Sequence, residues 1–587
     1  MTPAPKTTQA ATRKAALAVW PIRIIQIILG LVLVVVAARL VWVQAVRGSD
    51  LRQQAADSRV MPHVTPTQRG GIYDRNGVPL ALSQAVFDIV IDPANIHHKG
   101  RAAQVFADVL AGDVLDYYEQ LVKPSHYAVI EQQILPEERE LLEEYISDLP
   151  TATEQDRTFK HQMENLITFV LDYERIYPEG ELAAQTLGWV QRDTGEGRGG
   201  IELYYNEVLK GKPGASTSER DVRGNLIPTG VQREMPAQPG QPLILTLDVQ
   251  IQRYCDAALA HAVEAHEAKA GAILVMDVAS GEILAASSYP VFDLNEYQRA
   301  TEEEMRNRAL IEFYEPGSTL KPITAAAALD SGLVTTESTF EVPYRIQIGP
   351  DEVSDAALRG TWPEANLTHI IAHSSNVGTT RVAFTMGREH LYRGFDRFGL
   401  TSRSALDVPA VYPGNIPAPE EWLDIELSNF SFGQGVAISP VMLTRAIGAI
   451  ANKGMMVTPH LLKEAPGRDD VGAVWTRQEA TTPATAQEVS AMMHTVMTRG
   501  TGSRIRVPGY NVAGKTGTSE KAFQGLGYTD AYIASFAGYF PYEDPQVIIF
   551  VMLDEPADVY YGSVVAGPVF AEVATYVADY LSIPRAH

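Results

Sequence analysis

Residues 315–324 read EPGSTLKPIT, which sets Ser318 and Lys321 three positions apart, with Pro316 and Gly317 ahead and Pro322 behind. Two readings compete for this stretch. On a helix, positions i and i+3 share a face, so Lys321 can reach the Ser318 hydroxyl and take its proton, provided burial or nearby cations keep the amine partly neutral. A helix start would also aim free backbone N–H groups and the positive dipole end at developing negative charge. Pro322 suits that placement, because the first turn needs no amide donor. The plainer reading is that Pro-Gly-Ser-Thr only caps a helix, and the stretch taken alone favours it.

The rest of the chain changes the balance. S-x-x-K occurs only at Ser318–Lys321, S-x-N only at Ser374–Asn376, and K-T-G once, at Lys515–Gly517. Each pattern is short enough to arise by chance, but the three in this order within one domain are a specific signal. Around them, GAILVMDVASGEILAASS (271–288) reads as two strands joined by a short turn, and AYIASFAGYF (531–540) with QVIIFVMLDE (546–555) reads as a second pair. Helical segments such as VQIQRYCDAALAHAVEAH (249–266), TAAAALDSG and PVMLTRAIGAIANKG accompany them. Early strands, a helical middle and late strands predict an α+β domain, an antiparallel sheet built from both ends of the segment and packed with helices.

Working toward the N-terminus, Gly211 to Pro242 is rich in glycine, serine and charge and reads as a boundary, so the second domain is expected from about 236 to 587. Before it, Asn76-Gly77 marks a hairpin, FDIVIDP reads as strand, and residues of about 97–150 turn helical. An elongated, non-catalytic α+β region is therefore expected over 46–235. Ile24 to Ala38, broken only by Gln26, continues as Leu40 to Val43 beyond Arg39. That length crosses a bilayer as a helix, and Trp20 and Trp42 sit where interfacial aromatics belong. The expectation is an uncleaved anchor over 20–45, the competing signal peptide having a shorter apolar core and a small-residue cleavage site. Lys6, Arg13, Lys14 and Arg23 in a segment without acidic residues place the 1–19 tail inside, although Arg47, Arg52 and Arg59 follow the span.

Composition closes off other classes. With 45% hydrophobic and 20% charged residues the chain is largely globular, and a formal charge of -23 argues against nucleic-acid binding, which needs a basic face. One cysteine, Cys255, permits neither an intramolecular disulfide framework nor a cysteine-based metal site.

Three further patterns compete. GYNVAGKT (509–516) satisfies the P-loop pattern, and VIIFVMLDE resembles an ATPase acidic strand, so an ATPase is a reading from another class. The polar RIRVP before it and Gly517, Gly525 and Gly527 after it oppose the strand and helix a P-loop needs. GEGRGG (195–200) satisfies a dinucleotide pattern without the strand-helix-strand context, and reads as a flexible connector. His369 and His373 lie four apart as metal ligands can, yet Ile370 and Ile371 stand where a metalloprotease glutamate would be. No metal or cofactor is expected.

EPGSTLKP, SSN and KTGT resemble the three active-site motifs of the penicillin-binding transpeptidases, which crosslink bacterial peptidoglycan. RGGIYDRNGVPLA (69–81), ERIYPEGELAAQTLGWV (174–190), GGIELYYNEVLKG (199–211) and SFGQGVAISP (431–440) are similar to segments of the class B members. The resemblance implies the transpeptidase fold behind a single transmembrane helix and a pedestal of dimerisation type. It implies that Ser318 is acylated by a D-Ala-D-Ala stem while Lys321 takes its proton, and that Ser374 and Asn376 relay protons and hold substrate. Lys515 and Thr516 would anchor the terminal carboxylate, Gly517 would permit close approach, Thr518 would contact substrate, and the N–H groups of Ser318 and Thr518 would form an oxyanion hole. Beta-lactams would be covalent ligands. A multi-spanning glycan polymerase would be the partner, since no glycosyltransferase motif is found. The EPGS form leans toward the division type, with an elongation enzyme as the alternative. A serine beta-lactamase or a beta-lactam sensor would share the three motifs.

Overall fold

The computed structural model describes residues 10–48, 60–219, 232–356, 360–403, 405–468, 470–471, 475–523 and 527–585. Lys6, Arg52, Arg59 and Gly525 lie outside them. The chain divides into two units. One takes in the chain up to Pro66 together with Pro213–Gln238. It holds the helix Ala10–Ala45, of which the 22 residues Ile24–Ala45, with a mean hydropathy of 2.7 over an 18-residue window, are long and apolar enough to cross a membrane. It also holds a three-stranded antiparallel sheet in the order Val60–Thr65, Gly214–Glu219, Gln232–Met235. The segment read as an irregular boundary thus contains two strands, which its polar composition concealed.

The other unit, Thr67–Lys212 with Pro239–His587, carries among the described residues two large sheets, of six and five strands, and four two-stranded ones. In the first, Pro79–Ile91 follows Ile72–Tyr73 through the Asn76-Gly77 turn, with Gly77 at φ 86°. Ile167–Ile176 and Ala128–Ile134 pair with the same long strand. Four helices, Lys99–Leu110, Val114–Val122, Pro136–Ser147 and Glu154–Leu166, belong to this region, and Phe106, Leu121, Leu142, Phe159 and Met163 are buried in its own small core. Leu243–Leu245 joins this sheet, parallel to Ile72–Tyr73 and antiparallel to Leu462–Glu464. One sheet therefore takes strands from both sides of the expected boundary near 236.

GEGRGG is not a flexible connector. Gly197–Arg198 pairs with Trp189–Val190 as a hairpin, and Gly197 is packed so closely that an added Cβ would stand 1.9 Å from the Glu202 carbonyl oxygen. Glu202 is fully buried between Arg69 and Arg175, each at 2.7 Å, and Arg69 also donates to Asn206 Oδ1 at 3.0 Å. A buried carboxylate survives there because two guanidinium groups and their hydrogen bonds replace its lost hydration.

The second sheet is antiparallel, in the order Ile283–Tyr289, Ala270–Asp277, Val547–Asp554, Gly527–Phe540, Ala513–Phe523. It is built from both ends of the segment, as the two predicted strand pairs required. Residues 547–553 are all buried, so both faces of that central strand are covered. Helices Val249–Ala265 and Ala566–Tyr580 pack on this sheet and on each other, while Pro440–Ala451 and Pro483–Arg499 pack on its strands as well. The strand Ala513–Phe523 lies at the edge of the sheet and carries K-T-G. Thr516 continues in strand, not into a helix, which removes the P-loop reading: its Lys-Thr pair has no helix N-terminus to hold phosphate.

Candidate active site

Gly317–Leu320 forms one turn of 3-10 helix that runs into the helix Lys321–Asp330, with Pro322 in its first turn. The serine is thus placed at a helix start, as the sequence predicts. Gly317 holds φ 54° and donates its N–H to Gly433 O at 3.0 Å. Gly433, at φ 85°, approaches so closely that an added Cβ would lie 2.2 Å from Gly317 O. The SFGQG segment is therefore the bed on which the serine turn rests, and glycine is required on both sides of the contact.

Leu367–Ala372 is a short helix that ends just before Ser374, and Asn376–Met386 begins after Ser375. Between them Ser374 is left-handed, at φ 57°, a conformation that costs a non-glycine residue on the order of 1 kcal/mol or more. Ser375 caps the second helix by accepting from Gly378 N at 2.8 Å and donates to both carboxylate oxygens of Asp355 at 3.0 and 2.9 Å. Asp355 also accepts from Val377 N at 3.0 Å. The strained serine is fixed by its neighbours on both sides.

Both lysines lie fully buried beneath the cleft. Lys321 Nζ donates to Ser374 O at 2.7 Å, to Asn376 Oδ1 at 2.8 Å and more weakly to Ser374 Oγ at 3.4 Å. Lys515 Nζ donates to Ser374 Oγ at 2.8 Å and to Thr516 O at 3.0 Å. Ser374 Oγ is thus held by two amines from separate motifs. Burial pulls the Lys321 amine down to about 7, with Asp355 opposing it. Burial first, and then the charge of Lys321, holds Lys515 well below the usual lysine range. Two buried ammonium groups sharing one hydroxyl repel each other, so the pair favours losing a proton. The sequence reading put Lys321 on Ser318; here its hydrogen bonds run to the second motif, because Ser374 and Asn376 offer three oxygens around the buried amine.

Ser318, Ser374, Asn376, Thr516 and Thr518 line a single cleft of about 820 Å³. Gly517 lets the edge strand meet the serine turn: a Cβ there would stand 2.3 Å from Ser535 Oγ, 2.7 Å from Thr319 Cγ2 and 3.2 Å from Pro316 O. All eight residues singled out from the three motifs are therefore brought to one place. The His369 and His373 rings both pack with Trp362, at 4.3 and 5.4 Å, and among the described residues no group of three or more metal-ligating side chains occurs.

The sequence reading missed several residues of the cleft. Thr501 Oγ1 lies 2.8 Å from Thr516 Oγ1, so two hydroxyls stand where one was expected. Its backbone N–H donates to Ala372 O at 3.1 Å, tying the third motif's partner to the second motif's helix. The Thr- and Gly-rich TRGTGS (498–503) was the available signal. Asp355 and the tyrosines Tyr532, Tyr560 and Tyr561 also line the cleft, and no spacing rule connects them to it.

The model of the penicillin-binding protein transpeptidase domain matches residues 271–575, and that of the penicillin-binding protein dimerisation domain matches 64–245. The chain is 32% identical over 545 residues to the probable peptidoglycan D,D-transpeptidase PenA of Neisseria gonorrhoeae, covering 91% of this chain and 88% of that protein. It is 29% identical over 554 residues to the peptidoglycan D,D-transpeptidase FtsI of Escherichia coli K12, covering 92% and 89%. Among solved structures it resembles penicillin binding protein 3 of Mycobacterium tuberculosis in complex with aztreonam, with a TM-score of 0.67 and 27% identity over 89% of this chain and 98% of that one.

Proposed function

The chain belongs to the class B penicillin-binding proteins, and from that premise we propose that it is a peptidoglycan D,D-transpeptidase whose nucleophile is Ser318. The observation that carries this reading is the Ser374 hydroxyl gripped by two buried lysines beside a cleft that Ser318 lines. Ser318 Oγ attacks the carbonyl carbon between the two D-Ala residues, Lys321 receives its proton, the C–N bond breaks, and terminal D-Ala leaves as an amine. Ser374, in contact with both lysines, passes a proton to that amine, and Asn376 holds Lys321 in place. Lys515, Thr516 and Thr501 meet the terminal carboxylate. The backbone N–H groups of Ser318 and Thr518 stabilise the tetrahedral oxyanion. An amine from a neighbouring stem then takes the acyl group and forms the crosslinking amide.

Beta-lactams act on this site as acylating mimics of D-Ala-D-Ala; the Mycobacterium tuberculosis relative has been solved with aztreonam and with ampicillin. We place the catalytic domain at about 236–587 and the pedestal at 46–235. We read the apolar helix Ile24–Ala45 as a single membrane anchor, with the N-terminus cytoplasmic and the catalytic domain outside; its length and composition support the anchor, and the basic residues of the tail support the orientation. We take the division role over elongation on the EPGS form, with a multi-spanning glycan polymerase as partner. Labelling the purified full chain with fluorescent penicillin tests the activity: a long-lived adduct, lost in Ser318→Ala, is expected. Rapid turnover would mark a beta-lactamase, and no adduct would overturn the reading.

A further inference from the structure

The edge strand does not end its contribution to the cleft at Thr518. Thr516, Thr518 and Glu520 occupy alternate positions of Ala513–Phe523, so their side chains leave the same face, and all three line the cleft. Tyr532 stands opposite Glu520 in the antiparallel register and lines the same wall, its ring stacked on Tyr560 at 4.0 Å. Among the described residues the Glu520 carboxylate forms no hydrogen bond and no ion pair. The neighbouring Lys521 directs its amine to Asp554 and Glu555, at 2.8 Å each. Glu315, which accepts from Tyr528 OH at 3.0 Å, has its carboxyl raised by burial first, and Glu520 adds to that rise, so a second carboxylate stands near the same end of the strand. A partly buried carboxylate without a partner in a substrate cleft is a binding group awaiting a cation.

The position of that group along the strand identifies the cation, given the reading above. A donor whose terminal carboxylate meets Thr516 and Thr501 and whose scissile carbonyl meets Thr518 runs antiparallel to the strand. At about 3.4 Å per residue, Glu520 lies roughly 7 Å beyond Thr518, where the donor residue preceding D-Ala-D-Ala arrives. We propose that Glu520 is a specificity residue that binds a protonated side-chain amine on that donor residue, with the Tyr532 ring flanking it. The substrate class is then a stem whose diamino acid keeps its distal amine free and charged. A donor with that amine acylated leaves the carboxylate desolvated and unpaired. An aromatic ring beside the carboxylate favours the same ligand, since ring faces attract cations.

The inference rests on the transpeptidase reading, and the experiment separates the two. Two depsipeptide donors ending in Lys-D-Ala-D-lactate, one with a free ε-amine and one Nε-acetylated, are given to the full chain in detergent. Release of D-lactate reports acylation whichever acceptor completes the cycle. Wild type is expected to favour the free amine in kcat/KM by about fivefold, the scale of one partly exposed charge pair. Glu520→Gln is expected to bring the ratio near one, and Glu520→Lys to invert it; general losses of activity cancel in the ratio. An unchanged ratio in Glu520→Gln overturns the proposal. So does a change confined to the partition between aminolysis and hydrolysis, which would assign Glu520 to the acceptor. Absence of penicillin labelling at Ser318 in wild type would instead overturn the transpeptidase reading itself.

Discussion

Acylation of Ser318 is expected to follow the deprotonation of the buried lysine pair. A free lysine, with an ordinary value of 10.5, is neutral to only about 0.03% at pH 7; at about 7, the value burial gives Lys321, half the molecules carry a free amine. The gain in competent base is on the order of a thousandfold. The second-order rate of penicillin labelling should therefore rise about tenfold per pH unit from 5 to 6.5, bend near 7 and level above 8. The bend belongs to Lys321 and Lys515 together, since both contact Ser374 Oγ. Lys321→Arg should lose about a thousandfold, because a guanidinium does not deprotonate in this range. The assay is quenched-flow labelling of the full-length protein between pH 5 and 9, with thermal melts confirming that each variant is folded. A flat profile from pH 5 to 8, or a folded Lys321→Arg that keeps a tenth of the wild-type rate, would refute the assignment of a buried amine as the base.

Other outcomes follow from single residues. Ser374→Gly and Ser374→Ala should both lose labelling, but Gly, which accepts φ 57° freely, should melt higher than Ala by the equivalent of about 1 kcal/mol. Gly517→Ala should lower the melting temperature and slow acylation, since the new methyl meets Ser535, Thr319 and Pro316, with a cost of about 1–3 kcal/mol by overpacking. Asp407 is buried and accepts from Tyr205 OH at 2.9 Å, Leu461 N at 2.8 Å and Leu462 N at 2.7 Å. Asp407→Ala strands those donors and should destabilise by about 3 kcal/mol, measured by denaturant unfolding. Lys321 binds its proton more weakly in the fold than in the unfolded chain, so at this group the unfolded state holds more protons between about pH 7 and 10.5, and the Lys321 contribution to stability rises with pH there. The stability difference between wild type and Lys321→Met should accordingly move in favour of wild type by about 3 kcal/mol from pH 7 to 9.5, read from chemical unfolding at each pH.

The sequence disclosed what local chemistry determines and concealed what long-range contact determines. Ser318 at a helix start, Pro322 in its first turn and the two strand pairs of the catalytic sheet were legible, because capping, proline and alternation act over a few residues. The eight motif residues were legible because three short patterns occurred together in one order. Thr501, Asp355 and Glu520 were not, since each gains its role from a strand or helix far away in the chain. The P-loop match failed for a related reason: a pattern of residue types says nothing about whether Thr516 enters a helix or continues a strand. GEGRGG misled in the opposite sense, since glycines that suggest freedom are here the residues that let backbone pack at 1.9 Å from a projected Cβ.

The sheet order has a consequence for how the enzyme comes into being. Val547–Asp554 lies between Ala270–Asp277 and Gly527–Phe540, so the hairpin made early in the chain stays without its partner until residues more than 250 positions later have emerged. The sheet that supports the nucleophile therefore closes late, at high contact order, and its unpaired Ala270–Asp277 edge is exposed to aggregation until the last strand arrives. Loss of the last strand would leave every motif residue in the chain and no sheet to assemble them, so nonsense mutations far beyond Gly517 should yield protein that is degraded rather than an enzyme of reduced activity.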